Sequence, residues 1–269
     1  MGGGEFFFIY RYILRESCSQ FDSLPLTSLT TSGPVDLSAC KANALIGAIM
    51  WFGYPGQSGG AAIADAIFGA TNPSGKLTLT WYPESFVTAV NISDMGMRPN
   101  KTTGNPGRSH RFYTGTPVFA FGEGLSYTTF DVSAPAVEFV SGAAAIVAAE
   151  GRARTTRSHS QSVGAARVTV RNSGDVAGAH TVLLFAGSDE ISDAERAATG
   201  APLHSVVDFE RVLLQPGEET TVSIAITAHQ LTWADRAGER VSKAGRWAFW
   251  SGSALDRRHP IRASVVSMA

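Results

Sequence analysis

The sequence predicts an α/β unit followed by an all-β antiparallel sandwich, and three observations carry that prediction. Trp51 to Tyr82, WFGYPGQSGGAAIADAIFGATNPSGKLTLTWY, reads as strand, glycine-rich turn, helix, turn and strand. From Phe130 onward the pattern changes to short alternating runs divided by turn signals. The chain has 269 residues, 44% hydrophobic and 17% charged, which is ordinary soluble composition with room for one or two domains.

Taken in order, Leu24 to Ser38 is rich in threonine and serine and contains Gly33-Pro34-Val35-Asp36. Ile46 to Phe52 is a short apolar run fit for a buried strand, and the glycines at 53, 56, 59 and 60 supply the turn after it. Gly60 to Phe68 places Ile63 with Ile67 and Ala64 with Phe68 at helical spacing, an apolar face expected to lie on a sheet, with Gly69 as the stop. After the turn at Asn72 to Gly75, Lys76 to Tyr82 alternates Leu77, Leu79 and Trp81 with polar neighbours, as a half-buried strand does. The expectation is a β-α-β unit whose two strands are paired. Pro83 to Gly115 holds no period and reads as a long loop.

In the C-terminal half, strands are expected at Arg167 to Arg171, Thr181 to Phe185, Val206 to Leu213, Glu219 to Ile226 and Gly245 to Trp250. Turns at Asn172 to Asp175 and Gln215 to Glu218 separate them. Trp233, Trp247 and Trp250 are core candidates. Residues 141 to 165, dominated by Ala, Gly, Ser and Arg, read as a low-complexity loop or irregular connection.

The run GYPGQSGGAAIADAIFG, continued by NPSGKL and TWYP, resembles the segment that closes the second, α/β-sandwich domain of family 3 glycoside hydrolases. Asp94-Met95-Gly96-Met97-Arg98-Pro99, Gly107 to Tyr113 and Phe121 to Tyr127 follow in the same order and resemble the β-xylosidase branch of that family. Independently, Val170-x-Asn172-x-Gly174-x-x-x-Gly178 and Asp208-Phe209-Glu210-Arg211-Val212-x-Leu214-x-Pro216-Gly217-Glu218 resemble the family's fibronectin type III-like, immunoglobulin-like C-terminal domain. The expected organisation is an unmatched segment at 1–23, a partial α/β-sandwich domain at 24–90, a long loop at 91–129 and the fibronectin type III-like domain at 130–269.

The resemblance implies a parent activity of releasing terminal xylose, and also arabinose, from hemicellulose and xylo-oligosaccharides. Retaining glycoside hydrolysis requires two carboxyl groups about 5 to 5.5 Å apart, one as nucleophile and one as acid/base. In the family both precede the Gly-Pro-Val-Asp turn, so the resemblance implies no catalytic residue here and an inactive chain by itself. Ser93-Asp94 echoes a nucleophile motif, but its flanks place it in the loop. Two other readings stand beside this one: a noncatalytic polysaccharide- or protein-binding module, and an incomplete gene model.

The resemblance places Arg108, Arg111 and Tyr113 in a loop near the barrel mouth. There they either hold sugar hydroxyls or serve structural ion pairs. Met95 and Met97 suit interface packing, Asp36 a turn, Asp65 a solvated helix position and His110 a bystander role without triad or metal companions.

A net charge of -1 gives no electrostatic case for nucleic acid or an anionic membrane. No metal or cofactor motif is present; GYPGQSGG fits neither glycine-rich phosphate-binding fingerprint. The N-terminal FFFIYRYIL is too short to span a bilayer and lacks a signal peptide's basic start, and Phe6 breaks the myristoylation motif. Cys18 and Cys40 could pair in an oxidising compartment, but their spacing suggests no disulfide framework and they read rather as free thiols. Asn91-Ile92-Ser93 and Asn100-Lys101-Thr102 are glycosylation sequons that matter if the chain is extracellular or in a cell wall, as family resemblance implies. Oligomeric state leaves no mark. A truncated α/β half is expected to be labile to protease, and the chain from Phe130 onward to fold alone.

Overall fold

The computed structural model describes residues 26–153, 160–254 and 263–268. The expectations about residues 1–23, Cys18 included, lie outside these residues. The α/β part comprises β1 (Leu26–Leu29), α1 (Ser38–Ala42), β2 (Ala48–Trp51), α2 (Gly59–Ile67), α3 (Glu84–Ala89) and α4 (Ser109–Phe112). β1 and β2 form a parallel pair in which Leu26 faces Ala48 and Leu29 faces Trp51. Leu29, Leu37, Cys40, Trp81 and Val118 are buried together beside them, and the Trp51 and Trp81 rings meet edge to face at 5.6 Å.

The strand, turn, helix succession through α2 matches expectation, with Gly69 in the left-handed region at φ 79°. Two details of this unit differ. Lys76 to Tyr82 does not pair with β2; it runs antiparallel to Val118–Glu123, with Leu77 N–H bonded to Glu123 O at 2.8 Å and Trp81 N–H to Phe119 O at 2.9 Å. Alternation reveals a half-buried strand but carries no information about its partner. The helix face also differs: Ala66 is buried whereas Phe68 is 85% exposed, because the described sheet here has only two strands. The 83–115 segment is largely loop, as expected, but carries α3 and α4. Cys40 is disulfide-bonded, not a free thiol.

The sandwich contains β3 (Phe130–Val132), β4 (Ala136–Phe139), α5 (Ala143–Ala153), β5 (Ser162–Asn172), β6 (Gly178–Ser188), α6 (Asp193–Thr199), β7 (Ser205–Leu214), β8 (Glu219–Thr227), β9 (Thr232–Ala234), β10 (Arg240–Ser242), β11 (Gly245–Ser251) and β12 (Ala263–Met268). One sheet runs β12-β11-β6-β7; in the other, β5 pairs with β8 on one side and with β3 and β4 on the other. Val168 and Val170, Val182 and Leu184, Val222, Ile224 and Ile226, and Phe249 fill the space between the sheets. β8 alternates buried and exposed residues along its length, as expected of a strand with one face in the core.

The described residues of the 141–165 stretch, 141–153 and 160–165, are for the most part not loop. They form α5 and open β5, because their alanines carry the strongest intrinsic helix preference and Ala143 and Val147 are both fully buried. Ser192 caps α6 by accepting from Glu195 N–H at 3.2 Å, and Gly200 closes it in the left-handed region.

β6 and β11 are buried on both faces. Their outer face carries Leu183, Phe185, Ala248 and Trp250, and Phe121 from the α/β part packs there. Ala254 N–H bonds to Phe121 O at 2.9 Å. Gly122, at φ 88°, passes so close that a Cβ would lie 2.9 Å from Gly252 O. Asn72 adds a polar clasp, donating to Ala177 O while its Oδ1 accepts from Ser126 Oγ and Tyr127 N–H. The chain from Phe130 onward is therefore seamed to what precedes it.

Candidate functional site

The loop between α3 and α4 is held by its own polar side chains. Both Asp94 carboxylate oxygens are engaged: Oδ1 accepts from Gly96 N–H at 2.8 Å, and Oδ2 from Thr103 Oγ1 at 3.0 Å and Asn105 Nδ2 at 3.1 Å. Those bonds, the Gly96 amide first, hold its pKa below the usual carboxylate value. Asp94 is a loop staple, consistent with its flanks rather than with the echo of a nucleophile motif. Asp36 plays a similar part, accepting from Ser38 and from Glu84 N–H at the start of α3.

Arg108 donates to Asp94 O and lies over the Phe86 ring at 5.8 Å, and its Nε is buried without a partner. Tyr82 stacks on Phe86 at 4.1 Å, and Tyr113 meets both rings edge-on at 4.9 and 5.7 Å. Tyr82 Oη accepts from Ser109 N–H at 2.6 Å. Burial raises the pKa of both phenols. Ser109 itself sits at φ 60°, the one non-glycine residue with positive φ among the described residues, a strained conformation of the kind that collects at ligand-holding loops. Gly107, at φ 89°, is required just before it, since a Cβ would lie 2.2 Å from Phe112 O.

The structure thus brings Arg108 and Tyr113 together around Tyr82 and Phe86 and separates Arg111 from them. Arg111 lies against Phe112 at 5.3 Å with Arg98 on the same ring at 5.1 Å, while its carbonyl accepts from Leu203 N–H of the sandwich. Its pKa is lowered by burial first, then by Arg98 and Arg240. The structural ion pairs considered for these arginines do not form among the described residues. Met95 and Met97 are 83% and 45% exposed, so within this chain they do not pack at an interface.

His110 enters an aromatic box, 4.2 Å from Phe121 and 5.9 Å from His204. Burial, reinforced by Arg111, pushes its pKa down to about 4, so it is neutral at pH 7. Sequence reasoning passed over Tyr82, Phe86 and Asn72. Tyr82 and Phe86 were visible as aromatics four residues apart on either side of Pro83, but their tie to residues 108–113 is a long-range contact without a local signal. Asn91 and Asn100 are exposed; each Oδ1 accepts a backbone N–H two residues on, and Asn91 also accepts Ser93 Oγ at 2.8 Å. No group of three or more His, Cys, Asp or Glu is placed to hold a metal among the described residues.

Comparison with known proteins adds the family. Residues 24–127 match the glycosyl hydrolase family 3 C-terminal domain, and residues 181–254 match a fibronectin type III-like domain. Beta-D-xylosidase 3 of Arabidopsis thaliana is 37% identical over 257 residues, covering 88% of this chain and 31% of that protein. Exo-1,4-beta-xylosidase bxlB of Emericella nidulans is 39% identical over 225 residues, covering 83% of this chain and 28% of that protein. Among solved structures, a GH3 exo-beta-xylosidase (XlnD) in complex with a xylobiose aziridine probe superposes with a TM-score of 0.77 at 29% identity, over 96% of this chain and 32% of that one. The chain spans about a third of the length of the relatives it matches. The α/β part is thus a glycosyl hydrolase family 3 C-terminal domain and the sandwich a fibronectin type III-like domain, and the relatives that match across both are β-xylosidases.

Proposed function

We propose that this chain forms the C-terminal part of a β-xylosidase-type enzyme that releases xylose, and also arabinose, from the ends of hemicellulose oligosaccharides, and that the catalytic carboxylates are supplied by residues outside it. The observation that carries the reading is the continuous match to β-xylosidases through both domains, at 37% identity over 88% of the chain. Domain boundaries at 24–90, 91–129 and 130–269 go with this proposal. Within it, Arg108 and Tyr113 face sugar, because they share one half-buried aromatic cluster on a strained loop. Arg111, turned to the seam, takes another part. The disulfide at Cys40 and the exposed sequons at Asn91 and Asn100 favour an oxidising, extracellular location. No helix among the described residues is long and apolar enough to cross a membrane.

A graft tests the reading. The corresponding C-terminal segment of the Emericella nidulans enzyme is exchanged for this chain, and hydrolysis of an aryl xyloside is measured for the graft and for the chain alone. The graft is expected to be active and the chain alone to match a heat-killed control. A folded but inactive graft, or activity of the isolated chain abolished by Asp94→Asn, would overturn the proposal.

A further inference from the structure

Three guanidinium groups converge where the α4 loop meets the β9–β10 hairpin. Two are fastened to the protein. Arg98 Nε donates to Gly200 O at 2.9 Å and its Nη2 to Ala234 O at 2.8 Å. Arg240 donates to Thr232 Oγ1 and His229 O. Arg111 has no comparable partner. Its Nε is buried and makes no hydrogen bond, and no carboxylate pairs with it among the described residues. Its guanidinium lies against the Phe112 ring, as that of Arg98 does. Burial and two neighbouring cations all press against its charge; Glu150, the carboxylate acting on this cluster, acts on Arg240.

A half-buried guanidinium flanked by like charges is unfavourable unless an anion offsets it. Guanidinium groups suit that task because their planar forks match the two-oxygen face of a phosphate or carboxylate. We propose that Arg111, with Arg98 and Arg240, forms a binding site for a small oxyanion at the seam between the α/β part and the sandwich. Arg98 and Arg240 are already positioned by backbone and hydroxyl acceptors, so the charges are in place before the anion arrives. The Nη groups of Arg111, which make no hydrogen bond among the described residues and are not shut away as its Nε is, are the donors left for it. This site is separate from the Arg108–Tyr113 cluster and does not depend on the xylosidase reading.

Inorganic phosphate serves as the probe. Thermal unfolding of the full chain is compared in sodium phosphate and in sodium chloride of equal ionic strength, for the unmodified protein, Arg111→Gln and Arg240→Gln. Phosphate stabilises proteins generally by exclusion from their surfaces, so the deciding quantity is the difference between proteins. At phosphate about ten times its Kd, the unmodified chain should gain about 3 °C more than either variant. Equal gains would overturn the site. A second measurement needs no variant: phenylglyoxal modification of Arg111 and Arg240, followed by peptide mass, should slow about tenfold under the same phosphate concentration and not in chloride. An unchanged rate would overturn it too.

Discussion

The rings of His110 and His204 lie 5.9 Å apart and 27° from parallel, one from the α/β part and the other from the segment that leads into β7. Phe185 and Trp250, themselves stacked at 5.5 Å, close the box around them. The seam between the two parts thus contains an imidazole that stays neutral because it is buried beside a cation.

That burial sets a pH dependence. His110 has its folded pKa lowered to about 4, below the unfolded value of about 6.5, so its contribution is fully present above pH 6.5. It is lost as pH falls toward 4, where the deficit reaches about 3 kcal/mol. Urea unfolding at pH 7 and pH 4.5 should show this loss, with His110→Phe flattening the histidine's share of it. Identical pH dependence in the variant would contradict the assignment.

The sandwich alone should be a weaker protein than the whole chain. Phe185 and Trp250 are both fully buried, in part by Phe121 from across the seam. Uncovering side chains of this size forfeits about 1.5 to 3 kcal/mol each at full exposure. Residues 130–269 expressed by themselves are expected to bind a hydrophobic dye and to unfold at lower urea than the same strands in the full chain. Equal midpoints would restore the independent sandwich.

Asn172 is fully buried with all its side-chain polar atoms engaged. Oδ1 accepts from Thr128 Oγ1 at 2.7 Å and Gly174 N–H at 3.2 Å, and Nδ2 donates to Val176 O and Leu214 O. Asn172→Ala leaves those buried groups without partners and should cost about 3 kcal/mol in denaturant unfolding. Asn172→Asp should cost at least as much, since it adds a buried charge and removes two donors. A loss under about 1 kcal/mol for both would count against the network.

Gly107→Ala should destabilise the 83–115 loop selectively. The new Cβ would meet Phe112 O at 2.2 Å at a φ of 89°, which forces the turn before Arg108 to open. Hydrogen exchange is expected to rise at residues 94–113 and to stay unchanged in β5 and β8. Uniform exchange across the chain would show that the turn is not strained in this way.

Much of the fold was legible because its signals are local. Glu219 to Thr227 alternates in sequence as it does in burial, and Gly69 and Gly217 stand where positive φ is needed. The unbroken apolar run Val182-Leu183-Leu184-Phe185-Ala186 held a further signal, since a strand without alternation is covered on both faces. Taken as one more alternating run, Thr181 to Phe185 concealed the seam that this pattern encodes. What stayed hidden was pairing at a distance: Trp81 with Phe119, Tyr82 with Ser109, Asn72 with Ala177. The helix at Ala143–Ala153 was obscured for another reason, its composition resembling filler although alanine is the best helix former. Arg108, Arg111 and Tyr113 were readable as a group from their motif, but only three dimensions separate them into two surroundings.

Arg98 reaches from the α3–α4 loop to Gly200 O at the end of α6 and to Ala234 O at the end of β9. In mechanical terms it is a tie rod, and the β9–β10 hairpin is its anchor plate. The position of the loop bearing Asp94, Arg108 and Tyr113 is then set by the far domain. Engineering that hairpin, remote in sequence from every sugar-facing candidate, would re-aim the loop without touching one of its residues.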